Sequence, residues 1–283
     1  MCGLIDYKKS VDGILFVCNL LIRDFSNHRG LFVFKRIIFF LFLNASVPLF
    51  AHVYPMFSKA QEEAKKTTSW EYPHQEIVHY MQKEGKQSLL IFSYGSLMDA
   101  ASAACSLSQA SMATRRPAIA FGVRRLFDRD VPVREDSKWG TPTDPKARGM
   151  LNIMLSEQPE DFINGVLMDV TIEDISHILF REEGYDLLPV VVQDWDNVAD
   201  TLHPCYQIAY AFYAPQNSNA TNSLILPRPG YYELSRNASL FYGQIFYRIW
   251  LKTTFLADGV TPITEWERKT LNENEEINFT CPR

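Results

Sequence analysis

The chain has 283 residues, 47% hydrophobic and 22% charged, enough apolar material for a sizeable core in one large domain or a domain with an appendage. Its net charge is −5, but residues 1–55 carry six Lys/Arg against three Asp/Glu, which leaves 22 against 30 for residues 56–283. A body carrying −8 repels phosphate backbones, so nucleic acid is excluded as a partner.

Five cysteines (Cys2, Cys18, Cys105, Cys205 and Cys281) form no CxxC pair, and the histidines are scattered, His74 and His79 lying five apart. Neither a disulfide framework nor a metal site is expected from such spacings.

Residues 13–22 are a short apolar run, and Lys35-Arg36 precede residues 37–51, which are mostly apolar and uncharged. That is the layout of a secretory signal, and it is short for a spanning helix, which needs roughly 20 residues. Residues 1–55 are therefore expected to be a signal-like or membrane-anchor segment that exports or anchors the protein, with membrane contact through residues 13–51. The alternative is a buried N-terminal helix of a cytosolic protein. Residues 56–86 are polar, with a helical pattern from 58 to 66, and read as a linker or surface helix pinned to the body by Trp70, Tyr72 and Tyr80.

Residues 88–93 form a strand with four consecutive apolar side chains, Leu89, Leu90, Ile91 and Phe92. It runs into Tyr94-Gly95-Ser96-Leu97. A glycine beside a serine at a strand end lets the backbone bend and turn its N–H groups toward an incoming oxygen. A tight strand-to-helix turn without chemistry is the plainer reading. Residues 99–110, rich in Ala and Ser, read as a short helix or irregular segment. Residues 118–127 read as one strand with Arg124-Arg125 near its end. Residues 128–148 hold three prolines and mixed charges and read as a long loop able to cover a pocket. Residues 149–155 and 165–170 are strand-like.

Thr171-Ile172-Glu173-Asp174 opens a helix with a capping-box pattern, and that helix ends near Gly184. Residues 187–193 and 206–213 are again strands, a helical region follows over 230–256, and 271–283 is a polar tail. Strands paired mainly in sequence, with a helix inserted between two of them, predict an α+β fold. The sheet would be mostly antiparallel, closed or half-closed, with helices packed outside.

On the helix that Thr171 opens, Ile172, Ile175, Ile178 and Leu179 point one way. Glu182 lies about 30° from the centre of that apolar arc and Glu183 about 70°. Glu182 is thus the carboxylate expected to be desolvated, which suits a group that accepts and returns a proton near neutral pH. The competing expectation is an ion pair with Arg124 or Arg125.

Tyr94-Gly95-Ser96-Leu97, then Asn164-Gly165-Val166-Leu167, then Ile178-Leu179-Phe180-Arg181-Glu182-Glu183-Gly184-Tyr185 closely resemble the ordered motifs of the γ-glutamylcyclotransferase-like superfamily. Arg124-Arg125-Leu126-Phe127, Ala147-Arg148-Gly149-Met150-Leu151-Asn152, and Thr253-Thr254-Phe255-Leu256-Ala257-Asp258-Gly259 with Trp266 look like its bacterial branch. The resemblance covers about residues 88–268 and implies a domain over 87–270 built as a small β-barrel flanked by helices. It implies that Tyr94, Gly95, Ser96 and Leu97 bind a small-molecule γ-glutamyl substrate and that Glu182 is the catalytic acid/base. The implied reaction releases 5-oxoproline from a γ-glutamyl amine or peptide, with no metal or organic cofactor. Met98-Asp99 stands where the glutathione-specific branch usually has an aromatic residue, which argues against glutathione as the dedicated substrate. Met98 and residues 128–148 are expected to border the leaving group.

Two other readings compete. Ser96 as a covalent nucleophile lacks the Gly-x-Ser-x-Gly setting and an identifiable histidine–acid pair. A non-catalytic γ-glutamyl-binding or structural protein on the same barrel is the second.

Because Lys35-Arg36 precede an uncharged apolar run separate from the body, deleting residues 1–55 is expected to lower the thermal midpoint by less than about 4 °C. That is roughly what a loss of 1 kcal/mol produces in a body of this size. A larger drop in a melting experiment would mean that the segment packs into the core.

Overall fold

The computed structural model describes residues 58–60, 62, 73–132, 139, 141–156, 161–197, 205–216 and 219–273. Residues 1–55, Trp70, Tyr72 and Cys281 lie outside the described residues, so the expected export or anchor segment does too. Among the described residues, no helix is long and apolar enough to cross a membrane.

In chain order the elements are α1 (Pro73–Lys83), β1 (Ser88–Ser93), α2 (Ala100–Ala104), α3 (Gln109–Ala113), β2 (Arg116–Phe121), β3 (Val123–Asp130) and β4 (Gly149–Leu155). Then follow β5 (Phe162–Thr171), α4 (Ile172–Arg181), β6 (Asp186–Asp194), β7 (Gln207–Tyr213), α5 (Pro229–Phe241), α6 (Gln244–Lys252), β8 (Thr254–Phe255) and α7 (Ile263–Glu273). The helix α7 continues past residue 270, where the polar tail was expected to begin.

Five strands close into a barrel in the order β1-β5-β2-β6-β7. Its pairs are antiparallel except at the seam, where β1 runs parallel to β7 with Ile91 opposite Tyr210. The expected α+β architecture, a small and mostly antiparallel β-barrel with flanking helices, is the one present. The strand β5 is its centre, with residues 163–168 all buried, because it pairs with β1 on one side and β2 on the other.

Residues 118–127 are not one strand. Gly122 adopts φ +69°, a left-handed conformation that glycine reaches without a Cβ clash, and divides the run into β2 and β3. The strand β2 stays in the barrel, whereas β3 leaves it for a second sheet of order β4-β3-β8. Periodicity does not show such a break, because buried residues flank Gly122 on both sides. The first residues of the expected 128–148 loop also extend β3, through Asp130.

The helix α1 contributes to the core: Ile77 and Met81, one turn apart, are both fully buried. Burying two such side chains contributes about 1.5–3 kcal/mol each, which a linker would not supply. The expected helical region over 230–256 is two helices broken at Gly243, φ +102°, and it ends in the short strand β8. Tyr232 of α5 packs against Phe127, Trp250 and Trp266, so the second sheet and the last three helices share one aromatic cluster.

Neither bond of the expected capping box is made. Thr171 stands at the N-cap of α4, but its side chain makes no capping bond. The acid three residues on, Asp174, is 5% exposed and turns to another element. It accepts hydrogen bonds from Ser108 N (2.8 Å), Ser108 Oγ (2.6 Å) and Ser111 Oγ (2.6 Å), tying α4 to α3. Burial raises the Asp174 carboxyl, but these bonds outweigh it and hold the pKa below its ordinary value. A carboxyl depressed in the folded state contributes stability above its unfolded pKa, and loses it as pH falls through the folded one. Asp174→Asn should therefore lower the urea midpoint at neutral pH by an amount equivalent to about 1–3 kcal/mol. The gap from wild type should close as pH falls below about 4. A gap independent of pH would show that the carboxylate charge is not what holds α3.

Candidate active site

Phe92 and Ser93 end β1 in the barrel wall, and Tyr94-Gly95-Ser96-Leu97 turn away from it. Ser96–Met98 make one turn of 3-10 helix, closed by Met98 N–H donating to Gly95 O at 2.9 Å. Three arginines hold this loop from outside. Arg115 Nη2 donates to Leu97 O (3.0 Å) and Met98 O (2.7 Å). Arg125 Nη1 donates to Tyr94 O (3.5 Å), and Arg181 Nη2 to Ser96 Oγ (3.0 Å). In a trans peptide the C=O and N–H point in opposite directions, so a Tyr94 carbonyl drawn toward Arg125 turns the Gly95 N–H away from it.

Gly95 is required by a close approach. A Cβ added there would lie 2.5 Å from Tyr231 Oη. Gly165 of β5 has a similar role, because a Cβ would meet Ser93 O at 2.3 Å and Phe92 Cζ at 2.6 Å. The Asn164-Gly165 pair thus seats the end of β1, and with it the loop.

The recess above the loop is narrow and open to solvent at its mouth. It is lined by residues 92–97, Leu151, Glu182, Tyr185, Phe212 and Tyr231. All five residues singled out in the sequence, Tyr94, Gly95, Ser96, Leu97 and Glu182, line it together.

The route to Glu182 differs in detail from the helical-wheel argument. The helix α4 ends at Arg181, and Glu182 is its C-cap with φ −94° and ψ 30°. Its N–H still donates to Ile178 O at 3.0 Å, which keeps the side chain near the apolar arc. The Glu182 side chain is 16% exposed, while Glu183 is exposed. The arginine beside Glu182 is neither Arg124 nor Arg125. Arg181 Nε donates to Glu182 Oε1 at 3.1 Å. Arg124 instead lies over the Phe255 ring and 3.9 Å from Asp161, and Arg125 binds Asn164.

Three tyrosines surround the carboxylate, and sequence reasoning assigned only Tyr94 among them. Tyr94 donates its hydroxyl to Phe212 O, and Tyr185 donates to Leu151 O at 3.0 Å. Burial, reinforced by the negative potential of Glu182, pushes all three phenol pKa values up, so Tyr94, Tyr185 and Tyr231 remain protonated donors. Tyr185 is backed by the Arg129 guanidinium, 5.1 Å from its ring centroid. Tyr231, which lines the recess, meets Trp139 edge-on at 5.2 Å. The Pro-Gly start of α5 was the available sequence signal for Tyr231, but nothing in it says which barrel strand that helix faces.

Met98 does not border the recess, contrary to expectation. It is 1% exposed, packs in the core and is absent from the recess lining. Ser96 as a nucleophile finds no support in its contact with Arg181, since a guanidinium cannot take up a proton. Among the described residues, no group of three or more His, Cys, Asp or Glu could hold a metal ion.

No protein-family model matches the chain, and no curated protein matches it. Solved structures do. The chain is similar to YkqA from Bacillus subtilis, with 18% identity and a TM-score of 0.44 over 60% of this chain; it spans 55% of YkqA's length. It is similar to a γ-glutamyl cyclotransferase, with 17% identity and a TM-score of 0.40 over 57% of this chain and 88% of that one. It is also similar to a γ-glutamyl cyclotransferase from yeast described as specific to glutathione, with 15% identity and a TM-score of 0.40. That match covers 59% of this chain and 97% of the other.

Gly95→Ala is expected to lower stability by about 1–3 kcal/mol, the usual cost of overpacking. In Gly95→Ala/Tyr231→Phe most of that loss should return, since the next Tyr231 atom lies 3.6 Å from the added Cβ. Urea denaturation of the two single variants and the double variant measures the coupling. Strict additivity would mean that Tyr231 is not what confines Gly95.

Proposed function

We propose that this protein is a cofactor-independent γ-glutamylcyclotransferase that releases 5-oxoproline from a γ-glutamyl amine or peptide. The observation that carries the reading is that Glu182 and the whole Tyr94–Leu97 loop line one recess. In this reaction the substrate's own α-amine attacks its γ-carbonyl, so a new C–N bond closes the five-membered ring and the original amide C–N bond breaks. The protein then needs no nucleophile. It must fold the γ-glutamyl chain into a near-attack shape, which a narrow aromatic recess favours. It must also move one proton from the attacking amine to the departing nitrogen.

A single carboxylate can do both halves of that transfer. Glu182 accepts the proton from the amine and returns it to the leaving nitrogen. The N–H groups of the 94–97 turn stabilise the oxyanion as the γ-carbonyl becomes tetrahedral. The neutral hydroxyls around Glu182 add donors without adding a competing charge. Phe92 and Phe212 narrow the site and limit water near the developing ring.

The experiment is a panel of γ-glutamyl dipeptides and amines incubated with the purified full chain, scoring 5-oxoproline. Glu182→Gln keeps the side-chain shape and should lower turnover about 10²–10⁴-fold, while substrate binding changes little. Glu183→Gln, at an exposed position, should be nearly silent. Full activity in Glu182→Gln would sink the mechanism. Tight binding of a γ-glutamyl compound without release by wild type would leave a binding protein in its place.

A further inference from the structure

Arg181 precedes Glu182 in sequence and closes α4. Its side chain is only 12% exposed, and both edges of its guanidinium are engaged. Nε donates to Glu182 Oε1 at 3.1 Å. Nη2 donates to Ser96 Oγ at 3.0 Å and to Ser102 Oγ at 2.8 Å. Nη1 donates to Ser102 O and reaches Ser106 Oγ at 3.5 Å. One planar group thus spans the carboxylate, the substrate-loop serine and α2. Arginine suits this position because its fork is rigid and its charge permanent, whereas a lysine ammonium offers one point of attachment on a flexible stem.

The charged and titratable groups around Glu182 come from several elements. Tyr94 at the end of β1, Tyr185 after α4 and Tyr231 of α5 are buried and neutral. One layer further out, Asp128 and Arg129 of β3 flank Tyr185. Glu183, on the same segment, is exposed. Among the described residues, Arg181 places its guanidinium in direct contact with the carboxylate, Nε lying 3.1 Å from Oε1.

We propose that Arg181 is the positioning residue of this site. It fixes the Glu182 carboxylate against the Ser96 loop and holds it ionised before substrate arrives, so that Glu182 enters the reaction as a base. Burial by itself would favour the protonated acid, and the adjacent guanidinium opposes that. The same contact makes the loop and the base one mechanical unit. The kinetic part of this proposal rests on the cyclotransferase reading, while the electrostatic part does not.

The test is a titration of the full chain labelled with ¹³C at the glutamate carboxyls, with the Glu182 resonance identified by its loss in Glu182→Gln. In Arg181→Met the Glu182 midpoint should rise by about one unit or more, the usual effect of removing an adjacent cation. Arg181→Lys is the second variant, which retains charge and so protects the fold. Its midpoint should rise less, and 5-oxoproline release should fall in kcat while KM holds, because an ammonium on a flexible stem lacks the rigid planar fork that engages Glu182, Ser96 and Ser102 at once. The acid limb of the kcat/KM profile should move to higher pH in step with the midpoint. An unchanged midpoint in Arg181→Met, or an Arg181→Lys variant identical to wild type in both midpoint and kcat, overturns the role of Arg181. Should wild type release no 5-oxoproline, the cyclotransferase reading fails by itself and the titration still decides whether Arg181 sets the state of Glu182.

Discussion

Arg125 is a fully buried guanidinium, and the arrangement of the site depends on how it is satisfied. Its Nη2 donates to Asn164 O and Asn164 Oδ1, both at 2.9 Å, and to Thr253 Oγ1 at 3.4 Å, while Nη1 reaches Tyr94 O. The guanidinium carbon lies 5.4 Å from the Trp250 ring centroid. Burial drives its pKa down to about 9, with the nearby Tyr94 and Tyr231 hydroxyls opposing the fall. A charge this deep is tolerated only where fixed dipoles replace water, and here carbonyl, amide and hydroxyl oxygens supply them to Nη1 and Nη2, while Nε is left without a hydrogen bond. Each partner belongs to a different part of the fold: the Tyr94–Leu97 loop, the barrel strand β5 and the end of α6. Desolvating one cation therefore forces three elements to meet at one point.

That meeting point lies where the two sheets part. The strand β3 carries Arg125 out of the barrel after the turn at Gly122, and β8 pairs with it in parallel, placing Arg125 opposite Thr254. Asn164 adds its own link by donating to Phe246 O at 2.7 Å, so α6 is bound to the barrel through a side chain rather than through packing alone. Behind this polar node, Trp250 and Phe246 are buried almost completely and close it off from water. The low dielectric strengthens each hydrogen bond in the node. The recess is the opposite face of the same construction: its floor is the loop that Arg125, Arg115 and Arg181 hold from three sides.

The site joins rigid and adjustable parts. Phe92, Tyr94 and Phe212 stand on barrel strands or at their ends, with backbones fixed by sheet pairing. Glu182 sits at a helix C-cap, where the last carbonyls have no helical partner and the chain is free to turn. Gly184, at φ +83°, lets the chain reverse into β6 two residues later. A carboxylate at such a bend keeps one backbone bond to the helix while its side chain turns to the recess. The position that ends a helix is thus also the one that can present a proton carrier.

Local sequence determined the elements whose cause is local. Four apolar residues in a row made β1, and the 3.6-residue spacing of Ile175, Ile178 and Leu179 made the buried face of α4; the resemblance of its motifs singled out Tyr94-Gly95-Ser96-Leu97 and Glu182 as candidates, and the structure has them line one recess. Tertiary structure decided what depends on partners distant in the chain. Periodicity could not divide 118–127, because both halves are buried, and only the competition between two sheets shows why Gly122 must turn. Asp174 reads as a capping acid because its spacing is local, but its oxygens go to Ser108 and Ser111, some sixty residues earlier. Met98 reads as a specificity residue because it follows the loop in sequence, yet the 3-10 turn points it into the core. Tyr231 and the pairing of Glu182 with Arg181 were illegible for the same reason. A side chain's neighbours across a closed barrel are set by strand order and helix placement, and the spacing of residues along one segment carries no information about either.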